Sequence, residues 1–331
     1  RNLVISIHCF FCITTAFSQN QKSDILINKA WDFVLSDNDS ARIYISKLKD
    51  IYKVEKNLLL RVKTLEVEGL YYEIIQNDYK KASELYLKAI KIAEQNKIDY
   101  VKNLYHSIGV MFHTTDEYEK AKIYYQKSLE AAKKSSDNDL LVKCLINLGS
   151  INSSTEKYDE AEKLFLESLE YEASFETKRS TYSNLGNLKI RENKFEEAIN
   201  FLEKAIAVNP ETGQEGDVMD YSYLINAKSK LKNFDGIDTL LKKSEKFLVQ
   251  TDNLRNRSIM LKSIGNVYES MGNFSKATQF RNQYIQVYDS LKMQQRDDIV
   301  YELETKYQTE KKEEELQKRI KEKNQQTKSS T

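Results

Sequence analysis

Apolar residues recur every three or four positions through Leu104–Phe112 and again through Tyr118–Leu129, on either side of a short polar turn at Thr114-Thr115-Asp116. That spacing predicts two amphipathic helices folded back on one another. The pattern then returns: Ile108-Gly109 with Ala121 becomes Leu148-Gly149 with Ala161, Leu185-Gly186 with Ala198, and Ile264-Gly265 with Ala277. Each alanine follows its glycine by 12 residues, and an aromatic residue (Tyr118, Tyr158, Phe195, Phe274) precedes the alanine by three. Self-similarity of this kind predicts stacked helical hairpins. A glycine inside a helix costs about 1 kcal/mol relative to alanine. Its return at one register position therefore predicts a close approach that leaves no room for a Cβ, with a neighbouring backbone opposite and the small alanines as its matching half. Tyr125, Phe165 and Leu202, four residues after the alanines, are expected to fill the gap to the next repeat.

Taken in order, an atypical hairpin is expected over residues 23–56 and a second over 58–97, the latter with Gly69, Tyr79, Ala82 and Tyr86 and one extra residue between glycine and alanine. Regular hairpins follow over 101–136, 140–174 and 177–210. Asn209–Val218, with Pro210, Gly213 and Gly216, reads as the longest irregular connection. The hairpin after it (Tyr221, Phe234, Ile237, Leu241) has lost both glycine and alanine and is placed by register alone; the last covers 256–290.

Composition agrees with an all-α chain: one proline and nine glycines among 331 residues leave little to punctuate loops. The 51 basic and 50 acidic residues nearly cancel, so the basic excess of a nucleic-acid-binding surface is missing.

These residues resemble the tetratricopeptide (TPR) repeat, whose signature couples Leu-Gly in a first helix to Tyr, Ala and Phe/Tyr in a second. Pro210, 24 residues after Gly186, stands where that repeat's terminating proline falls. Glycine-to-glycine spacings of 40 and 37 exceed the family's period of about 34, as in the longer repeats of bacterial regulators and motor adaptors. The resemblance covers residues 23–290 and implies an α-α superhelix of about seven hairpins.

It also implies that each first helix lines a concave groove that takes extended peptides. There the chain places Asn147 and Asn184 just before the leucine, and Asn187, Asn226 and Asn266 just after the glycine position. A primary amide donates and accepts at once, so such a ladder can hold a peptide backbone whatever its side chains. This is similar to the asparagine ladder in the TPR region of a protein glycosyltransferase. The alternative is that these amides bond to neighbouring helices or to water. The basic and amide clamp of chaperone-binding TPR proteins has no counterpart, so an acidic C-terminal peptide is disfavoured.

No Gly-rich phosphate loop, nucleophile elbow or zincin motif occurs, so no catalytic residue, cofactor or enzyme activity is expected. His106 and His113 share a helix face without a cysteine or carboxylate to complete a metal set. Tyr79, Tyr86, Tyr118, Tyr125 and Tyr158 occupy repeat positions and are assigned to the core. Cys144 is expected to be a small buried hydrophobe.

The ends carry further expectations. Arg1, the apolar run Leu3–Phe17 and the Ala16-Phe17-Ser18 step before Gln19 read as a secretory signal over residues 1–18, with export to the periplasm or membrane surface. Cys9 and Cys12 fall inside that run. Residues 291–331 hold ten Lys/Arg and nine Asp/Glu, with an apolar stripe at Ile299, Val300, Leu303 and Tyr307. They read as a charged helix, either a capping helix or a weak homodimeric coiled coil through 291–325. Tyr301–Lys312 resembles the segment that follows the repeats in bacterial TPR sensors. That likeness implies a membrane span downstream, and then a histidine kinase or helix-turn-helix output domain. A non-catalytic scaffold binding a protein or peptide is the function expected, either as the exported part of such a sensor or as a free-standing exported adaptor.

Overall fold

The computed structural model describes residues 23–34, 38–208, 215–251 and 253–291. The signal-like segment, the stripe from Ile299 to Tyr307 and the sensor-like Tyr301–Lys312 lie outside them. Every regular element among the described residues is a helix: α1 (23–34), α2 (Asn38–Glu55), α3 (Leu58–Ile74), α4 (Tyr79–Gln95), α5 (Val101–Thr114), α6 (Tyr118–Ser135) and α7 (Asn138–Ser154). They continue with α8 (Tyr158–Ser168), α9 (Phe175–Arg191), α10 (Phe195–Val208), α11 (Glu215–Lys230), α12 (Ile237–Gln250), α13 (Leu254–Ser270) and α14 (274–291). The all-α array of hairpins expected from the repeat is what forms. The chain divides within α9 into two compact units, one running through Asn184 and the other from Leu185.

In the first unit one core joins Val62 and Leu65 to Tyr86, Ile108, Met111, Tyr125 and Ile151, and another gathers Ala30, Val34, Leu48 and Val67. Helix starts are fixed by side chains. Asn57, Asp78 and Asp137 each accept a hydrogen bond from the backbone N–H three residues on, satisfying a donor that the first turn leaves open. Turns are fixed by backbone. Asp116 and Glu156 adopt φ of 59° and 61°, and the next residue donates back across the turn, Glu117 N to Phe112 O and Lys157 N to Asn152 O, both at 2.8 Å. These are Schellman closures. Polar staples hold the α5–α6 hairpin and tie it to the next: Ser128 Oγ donates to Lys102 O at 2.8 Å within the hairpin, while Lys102 Nζ reaches Asp99 at 2.6 Å and, at the start of α7, Asp137 at 3.4 Å. Cys144 is fully buried, and burial pushes its thiol up to about 11.

The recurring glycines work differently from the expectation. A Cβ on Gly69, Gly109 or Gly149 would lie 2.9, 2.8 or 2.6 Å from the ring of Tyr86, Tyr125 or Phe165, and on Gly186 it would lie 2.5 Å from Leu202. What each glycine makes room for is a large side chain of its own hairpin, not a neighbouring backbone, and the alanine is not its partner. Tyr86 and Tyr125 thus meet the glycine of their own hairpin and also belong to the core shared with the neighbouring ones. Tyr86 and Tyr125 are fully buried, and Tyr79 and Tyr118 pack against the same core.

In the second unit the core is Val218, Tyr221, Ile225, Ile237, Leu241, Met260, Ile264 and Phe280 with their neighbours. The hairpin placed by register alone forms as α11 and α12, with Ile225 and Ile237 buried at the glycine and alanine positions. The expected irregular stretch is shorter than its sequence implied. Helix α11 begins at Glu215, so Gly216, Asp217 and Val218 are helical; residues 209–214 lie outside the description. The last hairpin departs most. Arg281 stands where its counterparts carry a ring or a leucine, turns outward to Glu269 at 2.7 Å, and leaves Gly265 with only ordinary contacts at 3.7 Å. Phe274, the aromatic expected to close this hairpin, is exposed.

Candidate functional site

On α5, α7 and α9 polar side chains gather on one face: His106, Asn147, Ser180 and Asn184. A pocket of about 380 Å³ opens on that face within the first unit. Val110 and Ile146 give it an apolar floor, Asn147, Asn184, Ser180 and His106 polar walls, and Lys143 and Glu176 one charge of each sign. Among the described residues Lys143 makes no ion pair.

A chain of hydrogen bonds runs from one first helix to the next. Ser107 Oγ donates to Glu66 at 2.7 Å, linking α5 to α3. Asn147 Nδ2 donates to His106 Nε2 at 3.0 Å, linking α7 to α5. Ser150 Oγ donates to Asn184 Oδ1 at 3.3 Å, linking α7 to α9. The second of these requires the imidazole to carry its proton on Nδ1. Burial, reinforced by the charge of Lys143, pushes His106 down to about 4, so the ring is neutral and able to accept near neutral pH. With Nδ2 committed to His106, Asn147 keeps Oδ1 and its second N–H for a ligand. Asn184 gives one N–H to Ser180 O at 2.8 Å and keeps the other.

Of the five asparagines singled out in the sequence, the structure brings Asn147 and Asn184 into one pocket, both half-buried. Asn187, Asn226 and Asn266 belong to the second unit. Asn187 and Asn226 are half-buried on α9 and α11. Asn266 is exposed beside a separate pocket of about 260 Å³ with Leu261, Gly265, Arg281 and Tyr284. His106, considered in the sequence only as a metal ligand, is instead the group that orients Asn147. His113 meets Tyr125 Oη at 3.5 Å and the edge of Tyr118. No cluster of three or more metal-ligating side chains occurs among the described residues, and no helix among them is long and apolar enough to cross a membrane.

A second buried polar group went unnoticed in the sequence. Glu66, 1% exposed, accepts from Tyr100 Oη at 2.6 Å as well as from Ser107. Burial raises its carboxyl above the ordinary range despite those donors and the charge of Lys63. Glu73, bonded to Tyr86 Oη at 2.9 Å, is raised for the same reason.

Models of the tetratricopeptide repeat match residues 67–96, 100–171 and 180–212. No curated protein matches the sequence. Among solved structures, the apo form of the quorum sensor NprR from B. thuringiensis is similar with a TM-score of 0.56 at 14% identity, covering 83% of this chain and 92% of that one. NprR in complex with its cognate peptide NprX gives 0.52 at 17% identity, over 76% and 74% of the two chains. The apo form of RapI gives 0.59 at 12% identity, over 82% and 87%. At such identities the likeness is one of fold. The family models thus place tetratricopeptide repeats within residues 67–212, and the helical-hairpin fold is shared with these structures.

Proposed function

We propose that the chain is a non-catalytic scaffold that binds an extended peptide or protein segment on the face of α5, α7 and α9. One observation carries this reading: Asn147 and Asn184 share a pocket with an apolar floor, and each keeps amide hydrogen-bonding capacity unspent by the fold. Asn147 Oδ1 suits a peptide N–H, and the free amide hydrogens suit a peptide carbonyl. Val110 and Ile146 would take an apolar side chain. NprR, similar in fold, has been solved with its cognate peptide, which supports a peptide as the ligand. In the same reading Asn187, Asn226 and Asn266 would extend the contact, and with residues 1–18 read as a leader the scaffold would act outside the cytoplasm, as the sensory part of a signalling protein or as a free-standing adaptor.

Selection of a peptide-display library against the chain, followed by titration of the strongest binder, tests the pocket. Each amide–backbone bond contributes about 0.5–1.5 kcal/mol net, so the Asn147→Ala/Asn184→Ala variant is expected to bind about tenfold more weakly with an unchanged helical spectrum. Affinity should vary little with salt, because the pocket offers one charge of each sign. Equal affinity for the variant and the parent, or a library that yields no binder, overturns the reading.

A further inference from the structure

A different feature lies at the elbow between α2 and α3, in the first unit and away from the asparagines. A cleft of about 430 Å³ is lined by Tyr52, Lys53, Lys56, Asn57, Leu58 and Arg61. It holds three cations and no acidic side chain. Arg61 is half-buried and makes no hydrogen bond or ion pair among the described residues, and its Nε is fully buried without a partner. The ring of Tyr52 lies 6.0 Å from its guanidinium carbon. Arg257 and Arg281, by contrast, are held: Arg257 donates to Leu248 O at 2.8 Å, and Arg281 pairs with Glu269. Arg61 therefore lines the cleft with a guanidinium whose charge no carboxylate among the described residues neutralises, and a partly buried cation left so favours an acceptor from outside.

The rest of the cleft supplies what such an acceptor needs. Lys56 is exposed and makes no ion pair among the described residues; Lys53 is shared with Asp50 at 3.6 Å. Helix α3 begins here. Asn57 Oδ1 caps the N–H of Leu60 at 3.0 Å, which leaves the N–H groups of Leu58 and Leu59 without a helical partner. Tyr52 and Leu58 form an apolar wall beside the charges.

We propose that this elbow is an oxyanion-binding site for a phosphate or carboxylate group. One oxygen would meet the Arg61 guanidinium, a second the first-turn N–H groups of α3, and Lys56 would balance the charge. Guanidinium groups match such two-oxygen partners by geometry as well as charge.

The test follows the Arg Nε–H resonances of the full chain during separate titrations with inorganic phosphate and with acetate, at ionic strength held constant with chloride. The Arg61 signal is expected to shift along a saturating curve with at least one of the two, while that of Arg257 stays in place. A response to phosphate alone assigns a phosphoryl ligand, and one to acetate alone a carboxylate ligand. Lys56→Gly removes a cation without strain, since Lys56 already has φ of 52°. It should raise the midpoint about fivefold, the weight of one exposed charge about 4 Å away. A linear drift common to all arginines, or an unchanged midpoint in Lys56→Gly, overturns the proposal.

Discussion

Phe165→Ala is expected to cost about 3–5 kcal/mol of stability, the range for removing a buried aromatic side chain. The ring is 1% exposed and lies where a Cβ on Gly149 would sit, 2.6 Å away. The converse change, Gly149→Leu, forces the ring and helices α7 and α8 apart and should cost about 1–3 kcal/mol, as overpacking does. The two sites are then strongly coupled. In Gly149→Ala/Phe165→Ala the added methyl enters space the ring has left, so the double variant should be more stable than the sum of the single losses implies. Urea melts of the parent, Gly149→Ala, Phe165→Ala and the double variant measure this coupling. Strict additivity would show that glycine and ring do not compete for one volume.

Glu66 carries the second large expectation, and it depends on pH. Its carboxyl is raised in the folded chain, so the folded state holds a proton that the unfolded state has already lost. Below the ordinary carboxylate value both states are protonated and the group costs little. As pH climbs from that value through the raised one, stability falls, and the loss is complete above it. Glu66→Gln keeps an acceptor for Tyr100 and Ser107 without a buried charge. It should therefore match the parent near about pH 4 and exceed it by about pH 7. Glu66→Leu removes the acceptor as well. Ser107 Oγ can fall back on Asn103 O at 3.1 Å, but Tyr100 Oη is stranded, at about 1–3 kcal/mol. Denaturant midpoints for the three proteins across that pH range check both statements. A Gln variant that runs parallel to the parent at every pH would show that Glu66 does not titrate between folded and unfolded states.

Much of this architecture was legible in the chain because the repeat writes itself in residues that do one job each. Glycine at a fixed distance from alanine and aromatic placed the hairpins, including α11 and α12, where only register survived. The glycine's true partner was harder to see. Phe165 follows Gly149 across a turn, and a backbone neighbour or a ring explains the missing Cβ equally well until the two helices are laid side by side. The asparagines show the same limit. Type and spacing marked Asn147 and Asn184, but which of their donors and acceptors the fold uses depends on His106 and Ser150, 41 and 34 residues away. Lys53, Lys56 and Arg61 look in sequence like ordinary solvated charges, since only the bend between α2 and α3 gathers them round one cleft. Glu66 likewise reads as a surface carboxylate until Tyr100 and Ser107 close over it.

The hairpin turns have a further consequence. At the end of each regular first helix the chain enters left-handed backbone with Asn77, Asp116, Glu156 or Asn193, and uses glycine there only at Gly272 in the last hairpin. Apart from Gly236 and Gly272, the positive-φ positions among the described residues thus go without glycine, while glycine is placed inside helices, where alanine would be more stable. Both choices weaken the isolated hairpin and leave its stability to what its neighbours cover. An array built this way behaves as a row of coupled links rather than a single block. Amide hydrogens should exchange fastest in the hairpins at the ends of each compact unit and slowest between them. Loosening would then travel inward, one hairpin at a time.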